Sequence, residues 1–354
     1  MVESDNFLNS GGVFQDIDLD QESRIQVLEA IADTLDRYAF PEAAAKAQAD
    51  IRQRLSEGGY SDIVSGHQFA ETLTNQLQTL TCDRSVQVYF SPAPLPELSA
   101  DTPPTAEELA YQKQQSQHRN FDINQVERLS GNLGFLQLYG FEPPEFAGET
   151  LAAAMTLLAH TEGLIIDLRY NRGGSPGMVA LLCSYLLPPY PAVHLSDVKL
   201  PTRTQQNWTS AYVGGPRYLD RPVYLLTGPE TATAAEEFAY TLKQLKRATL
   251  IGETTAGKAN LGAGQRLHDH FWMFLPTGQV LSPITGKNWE GSGVLPDFKV
   301  PVELAVKVAH YMGLTDLSKQ YGASDRELEA ALENVKKQLD QMQQDLISQL
   351  GGLR

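Results

Sequence analysis

Two short segments hold residue types that can carry out acyl chemistry. Thr231-Ala-Thr-Ala-Ala-Glu-Glu237 follows the apolar run Val223-Tyr-Leu-Leu226, and Gly252-Glu-Thr-Thr-Ala-Gly-Lys258 follows Ala248-Thr-Leu-Ile251. Each reads as a buried strand ending in a turn, so together they place a hydroxyl, Thr233, and an amine, Lys258, at the mouth of one α/β core. A hydroxyl with an adjacent amine base is one recipe for an acyl-transfer nucleophile. The amine has to be neutral to act as a base, and partial burial is what lowers a lysine pKa. Thr233 also reads as a helix cap, because Glu236 lies three residues on in a Thr-x-x-Glu capping box. A hydroxyl that only caps is worth about 1 kcal/mol and does no chemistry. Lys258 by itself reads as an ordinary surface lysine. A third segment, Gly163-Leu-Ile-Ile-Asp-Leu-Arg-Tyr-Asn-Arg-Gly-Gly174, runs from a buried strand into a glycine-rich turn, and Pro176 suits the first turn of the helix beyond it. Backbone N–H groups of such a turn can converge on an oxyanion. The same glycines equally serve an ordinary strand-to-helix turn that needs positive φ.

The elements that must position these residues follow from apolar spacing. From Glu22 to about Leu55 the spacing is helical, and Phe40-Pro41 divides it in two, since the residue before proline is pushed out of the α region. Gly66 to Leu80 is a third helix and Ser85 to Phe90 a strand. Residues 91–120, rich in proline and then polar, read as a linker. Strand–helix alternation follows: strands at 133–138, 163–167, 223–226 and 248–251, helices at 147–160, 176–187 and 234–245. Such alternation predicts an α/β core with a largely parallel sheet. Arg266 to Leu275 and Gln279 to Ser282 read as an antiparallel pair turning at Pro276-Thr-Gly278. The tail from Ser324 to Leu350 reads as a separate helix with an apolar seam at Leu328, Leu332, Val335, Leu339, Met342, Leu346 and Leu350. Ser324 with Glu327 caps it and Gly351-Gly352 ends it. The seam suits packing on the chain's own core or on a second copy, hence a homo-oligomer through this helix. The expected divisions are a mainly helical N-terminal domain with linker at 1–120, an α/β core at 121–315, and a C-terminal segment at 316–354.

At 354 residues the chain is long for a single minimal core. Its hydrophobic content of 42% and charged content of 20% are those of a soluble globular protein. A formal net charge of −15 argues against nucleic-acid partners, whose phosphates call for clustered Lys and Arg, and against an anionic membrane surface. No apolar run approaches the ~20 residues of a transmembrane helix. Cys82 and Cys183 form no disulfide framework, and Cys183, inside Met178 to Leu187, reads as a buried thiol. No Cys/His spacing suits a metal, His268 and His270 alternate as on a strand, and no cofactor is expected. The N-terminus lacks the basic and apolar regions of a signal peptide. The expectation is a cytoplasmic protein if Met1 is the native start, and a periplasmic or secreted one if a signal was removed, the only case in which the Asn207-Trp-Thr209 sequon matters.

Four blocks occur in order: Asp167-Leu-Arg-x-Asn-x-Gly-Gly174, Thr231-Ala-Thr-Ala-Ala-Glu236, Gly252-Glu-x-Thr-x-Gly-Lys258 and Glu290-Gly-Ser-Gly-Val-Leu-Pro-Asp297. Over roughly residues 130–305 the chain resembles the tail-specific, or C-terminal processing, peptidase family. The resemblance implies a ClpP/crotonase-type core with a serine nucleophile, a lysine base and an oxyanion hole. Carried onto this sequence, the nucleophile position is Thr233, the base is Lys258, and the hole uses the N–H of Ala234 and of Gly173 or Gly174. Residues 25–90, Lys246-Arg-Ala-Thr-Leu250 and Asn288-Trp-Glu-Gly-Ser-Gly-Val-Leu-Pro296 resemble modules of interphotoreceptor retinoid-binding protein and their bacterial relatives. That branch implies two activities: a serine-type peptidase acting on unstructured polypeptides, or a noncatalytic carrier of retinoid or fatty-acid ligands lined by residues such as Phe271, Trp272 and Phe274. Thr at 233 departs from the family's serine, and its β-methyl stiffens χ1. Gly262 stands where some members carry a polar residue, leaving Gln265 as the nearest substitute. Gln137 stands where related enzymes place a histidine, and Glu290 matches their acidic residue.

Overall fold

The computed structural model describes residues 16–96, 104–321 and 326–351. Its helices, in chain order, are α1 Gln21–Thr34, α2 Pro41–Ser56, α3 Gly66–Thr81, α4 Ala106–His118, α5 Pro144–Leu158, α6 Pro176–Leu186, α7 Ala234–Gln244, α8 Val302–Tyr321 and α9 Arg326–Gly351. The strands are β1 Gln87–Phe90, β2 Ile123–Leu129, β3 Leu133–Leu138, β4 Gly163–Asp167, β5 His194–Lys199, β6 Thr204–Trp208, β7 Val223–Thr227, β8 Thr249–Gly252, β9 Asn260–His268, β10 Phe271–Leu281 and β11 Phe298–Lys299. The chain divides into two compact units, one of residues up to 103 with 198–205 and 260–280, the other of the remainder.

In the first unit the helices start where the sequence supplies caps. Asp20 accepts from the Ser23 N–H at 2.7 Å and Ser65 from the Gln68 N–H at 3.0 Å, while Pro41 opens α2. Val27, Ile31, Leu35, Ile51, Phe69, Leu73 and Leu77 form its core. β1 and β9 flank β10 antiparallel. Phe271, Met273 and Leu275 alternate into the helical core at 0% exposure, and Trp272, on the opposite face, stacks on Tyr89 at 4.1 Å. Phe271 is therefore core of its own unit. The expected turn at Pro276-Thr-Gly278 is corrected here: that stretch is a register shift within one long strand, and the chain reverses at Asp269-His270. A proline without an N–H sits in a strand at such an irregularity more readily than in a ladder. His268 accordingly ends β9 and His270 lies in the turn, so the two do not alternate on one strand. The hairpin expected inside the α/β core belongs to this unit.

The second unit holds a six-stranded sheet in the order β11-β8-β7-β4-β3-β2, parallel throughout except for the β2–β3 pair. β3, β4 and β7 are buried along their whole length, the pattern of strands covered on both faces. α8 packs its Ala305 and Ala309 on Phe135, Ile165, Tyr224, Leu226 and Ile251. α9 packs Leu328 and Val335 with Leu314 and Leu317 of α8. Ser324 and Gly352, expected to bound this helix, lie outside the described residues. Residues 91–120 are not simply linker, for they include α4. Its Thr105–Glu108 capping box starts a helix that is polar on nearly all sides, so no apolar period marks it. None of the described helices is long and apolar enough to cross a membrane.

Candidate active site

The sheet delivers its chemistry at the carboxyl ends of β4, β7 and β8, as open parallel sheets do. After β7 the Thr231 hydroxyl donates to the Leu168 carbonyl at 2.7 Å and accepts from the Gly228 N–H at 2.9 Å, tying the Thr233 loop to the end of β4. Thr233 then sits at φ 50, ψ −114, immediately before α7. That is a rare conformation for a β-branched residue. Its N–H donates to Glu236 Oε2 at 2.9 Å, one arm of the expected capping box, and its hydroxyl donates to the Arg172 carbonyl at 3.1 Å. Gly173 and Gly174 follow at φ 100 and 135. A Cβ on Gly173 would overlap the Thr233 hydroxyl oxygen, so only glycine allows this approach.

The N–H groups of the turn are not equivalent. Gly173 N–H donates to Asn171 Oδ1 at 2.8 Å. The Phe141 N–H donates to the Gly173 carbonyl at 2.8 Å and Ser175 N–H to the Phe141 carbonyl at 2.6 Å, which anchors the turn on both sides of Gly174. Among the described residues the N–H groups of Gly174 and Ala234 have no acceptor.

The loop carrying Lys258 is held by backbone clamps from two sides. Glu236 is fully buried and accepts from the N–H of Lys258 at 2.8 Å and of Gly257 at 2.6 Å, besides Thr233 N–H and the Thr255 hydroxyl. One carboxylate thus joins the Thr233 loop to the Lys258 loop. Burial raises its pKa above the usual carboxylate range, and the four donors oppose that rise without cancelling it. On the other side Glu290 accepts from the Ala259 N–H at 2.6 Å, and buried Trp289 donates to the Lys258 carbonyl at 3.3 Å. Lys258's side chain is exposed, and among the described residues Nζ joins neither Thr233 nor any other partner. The Thr233 and Lys258 side chains are not joined to each other in this structure.

The sequence model of peptidase family S41 covers residues 132–300, and that of the N-terminal domain of peptidase S41 in eukaryotic IRBP covers residues 19–123. The chain belongs to peptidase family S41. A carboxyl-terminal-processing protease of Synechocystis sp. is 30% identical over 166 residues, 47% of this chain and 37% of that protein. A carboxy-terminal-processing protease of Bartonella bacilliformis is 25% identical over 191 residues, 52% of this chain and 42% of its own length. The S41 chain thus spans well under two thirds of these relatives. Two solved structures share the fold. A candidate peptidase from Parabacteroides merdae has a TM-score of 0.54 at 18% identity, covering 79% of this chain and 90% of its own. A lipoprotein from Streptococcus agalactiae has a TM-score of 0.52 at 16% identity, covering 85% and 100%.

Within the S41 chain Thr233, Ala234, Gly173, Gly174, Lys258 and Glu290 occupy adjoining loops of one unit. Gln137 lies at the end of β3, where it donates to Asp167 Oδ2 at 2.7 Å and accepts from Asn124. Asp167 also takes a two-pronged ion pair from Arg169 at 2.9 and 2.8 Å, so Gln137 is engaged in holding the end of the sheet. Gln265 lies on β9 of the other unit and accepts from Arg37 at 3.3 Å. Three contributors escape a reading of the sequence alone: Glu236 as a clamp on the Lys258 loop besides its place in the capping box, Trp289, and Asn171. Each lies inside one of the sequence blocks, and that membership is the only signal the sequence offers.

Proposed function

We propose that this S41 chain is a peptidase in which Thr233 is the nucleophile and Lys258 the general base. The Thr233 oxygen adds to a peptide carbonyl while Lys258, exposed in the free chain and neutral once bound substrate covers it, takes its proton. The oxyanion is held by the N–H of Ala234 and the Gly173–Gly174 turn. Lysine then gives the proton to the leaving amine, and water, activated by the same lysine, hydrolyses the ester. The substrate is an unstructured polypeptide end, a reading supported by the carboxyl-terminal-processing relatives. One observation carries the proposal. Asp20, Ser65 and Thr105 cap their helices with φ between −76 and −65, whereas Thr233 stands at φ 50. A cap needs only extended backbone; the strained position, costing about 1–3 kcal/mol, turns a hydroxyl outward beside unengaged N–H groups. The Thr233 and Lys258 N–H groups both bond Glu236 Oε2, which holds the two backbones close, and catalytic side-chain contacts commonly tighten when substrate binds.

The second reading is a noncatalytic carrier, supported by the IRBP-type N-terminal match and by the open dyad. Cleavage of an unfolded peptide separates the two. Turnover is expected to be lost on Lys258→Ala and retained or raised on Thr233→Ser. No turnover by either the native chain or the serine variant, together with saturable quenching of tryptophan fluorescence by oleate or retinol, would establish the carrier instead.

A further inference from the structure

Asn171 links the two loops that build the site, and its side chain is 0% exposed. Its main-chain carbonyl accepts from the N–H of Ala232, the residue before Thr233, at 3.0 Å, and its own N–H donates to the Leu168 carbonyl at 3.0 Å. Its side-chain Oδ1 takes the Gly173 N–H at 2.8 Å. Nδ2, by contrast, is buried with no partner. Stranded buried donors are uncommon in folded proteins. Turning the amide over would not relieve it, because Nδ2 would then face the Gly173 N–H, donor against donor. The orientation is dictated by Gly173.

We propose that Asn171 is the positioning residue of the oxyanion site. By occupying the Gly173 N–H it leaves Gly174, paired with Ala234, as the donor to the substrate's developing oxyanion. By holding Ala232 it fixes the nucleophile loop against that turn. Two adjacent glycines at positive φ have little intrinsic preference, so a tether is needed to aim one N–H. The inference rests on the peptidase reading above.

The test uses the full chain carrying Thr233→Ser as parent, with an unfolded peptide as substrate. Asn171→Leu removes the acceptor at similar volume and is expected to lower kcat about 10–100-fold with KM nearly unchanged, less than the ~10²–10³-fold for deleting an oxyanion donor outright. Asn171→Asp keeps the acceptor but places a titratable carboxyl behind the turn. Its kcat relative to the parent is expected to fall about tenfold as pH rises from about 5 to 8, as charge beside the oxyanion builds up. A merely structural residue would not produce that slope, and the aspartate arm decides the matter if the leucine variant fails to fold. A flat ratio near unity, or a loss confined to KM, overturns the proposal. An inactive parent overturns the peptidase reading instead.

Discussion

Thr233 is a residue whose backbone works against the fold. Threonine has no favourable well at φ 50 with ψ −114, and its branched Cβ adds to the crowding. Relieving that conformation has an expected consequence for stability. Thr233→Gly removes both the hydroxyl proposed as nucleophile and the strain, and is expected to raise the free energy of unfolding by about 1 kcal/mol in urea titration, the gain being reduced by lost side-chain contacts. A destabilised glycine variant would mean that the turn is held by the threonine side chain and not despite it. The pair first legible in the sequence, Thr233 and Lys258, does lie on adjoining loops. What holds those loops was not legible, because Glu236 satisfies the capping-box pattern whether or not its second oxygen reaches Gly257 and Thr255. The same limit applies to Asn171, which is joined to Gly173 two positions on and to Ala232 beyond α6 and the strands β5, β6 and β7.

Elements with a strong apolar period were legible and those without one were not. α1 to α3, β3, β4, β7 and α7 fall within a few residues of their expected bounds, since each presents a continuous buried run or face. α4 escaped because its one buried side chain is Ser116. β2 alternates only weakly and was passed over, and the hairpin turn was misplaced because Pro-Thr-Gly is a stronger local turn signal than Asp-His. α9 shows both outcomes on one helix. Its heptad seam is real, but burial changes along it: Leu328 and Val335 are 6% and 2% exposed, whereas Leu346 is half-buried and Ile347 is 69% exposed. Leu328→Ala is accordingly expected to cost about 2 kcal/mol or more, and Leu346→Ala no more than about 0.5 kcal/mol at low protein concentration. A larger cost for Leu346→Ala that grows with protein concentration would place the distal seam on a second copy, the alternative that its spacing permits.

At the scale of the whole molecule the distinctive feature is carboxylate held where water is absent. The formal net charge of −15 is mostly a surface property and favours solubility. Two glutamates side by side on α7 are not on the surface. Glu236 joins the site loops, and Glu237, 3% exposed, accepts from the Ser196 hydroxyl at 2.6 Å near the buried Cys183. Asn207, the sequon residue, donates to that same Ser196 oxygen at 3.0 Å, so its amide is engaged within the fold. Burial raises the pKa of Glu237 above the ordinary 4.5, the donors from Ser196 and Asn207 opposing the rise only in part. The sign of the linkage follows. An acid whose folded pKa lies above its unfolded value releases its proton less readily when folded, so its contribution to stability is complete below about pH 4.5 and is lost as pH rises through the higher folded value. Glu237→Gln removes that titration while keeping an acceptor for Ser196. Thermal unfolding measured from about pH 4 to pH 8 is expected to show the variant gaining on the native chain as pH rises, with most of the change above pH 4.5. A difference in Tm that stays constant across the range would show that the donors around Glu237 cancel its desolvation, leaving the folded pKa at the unfolded value.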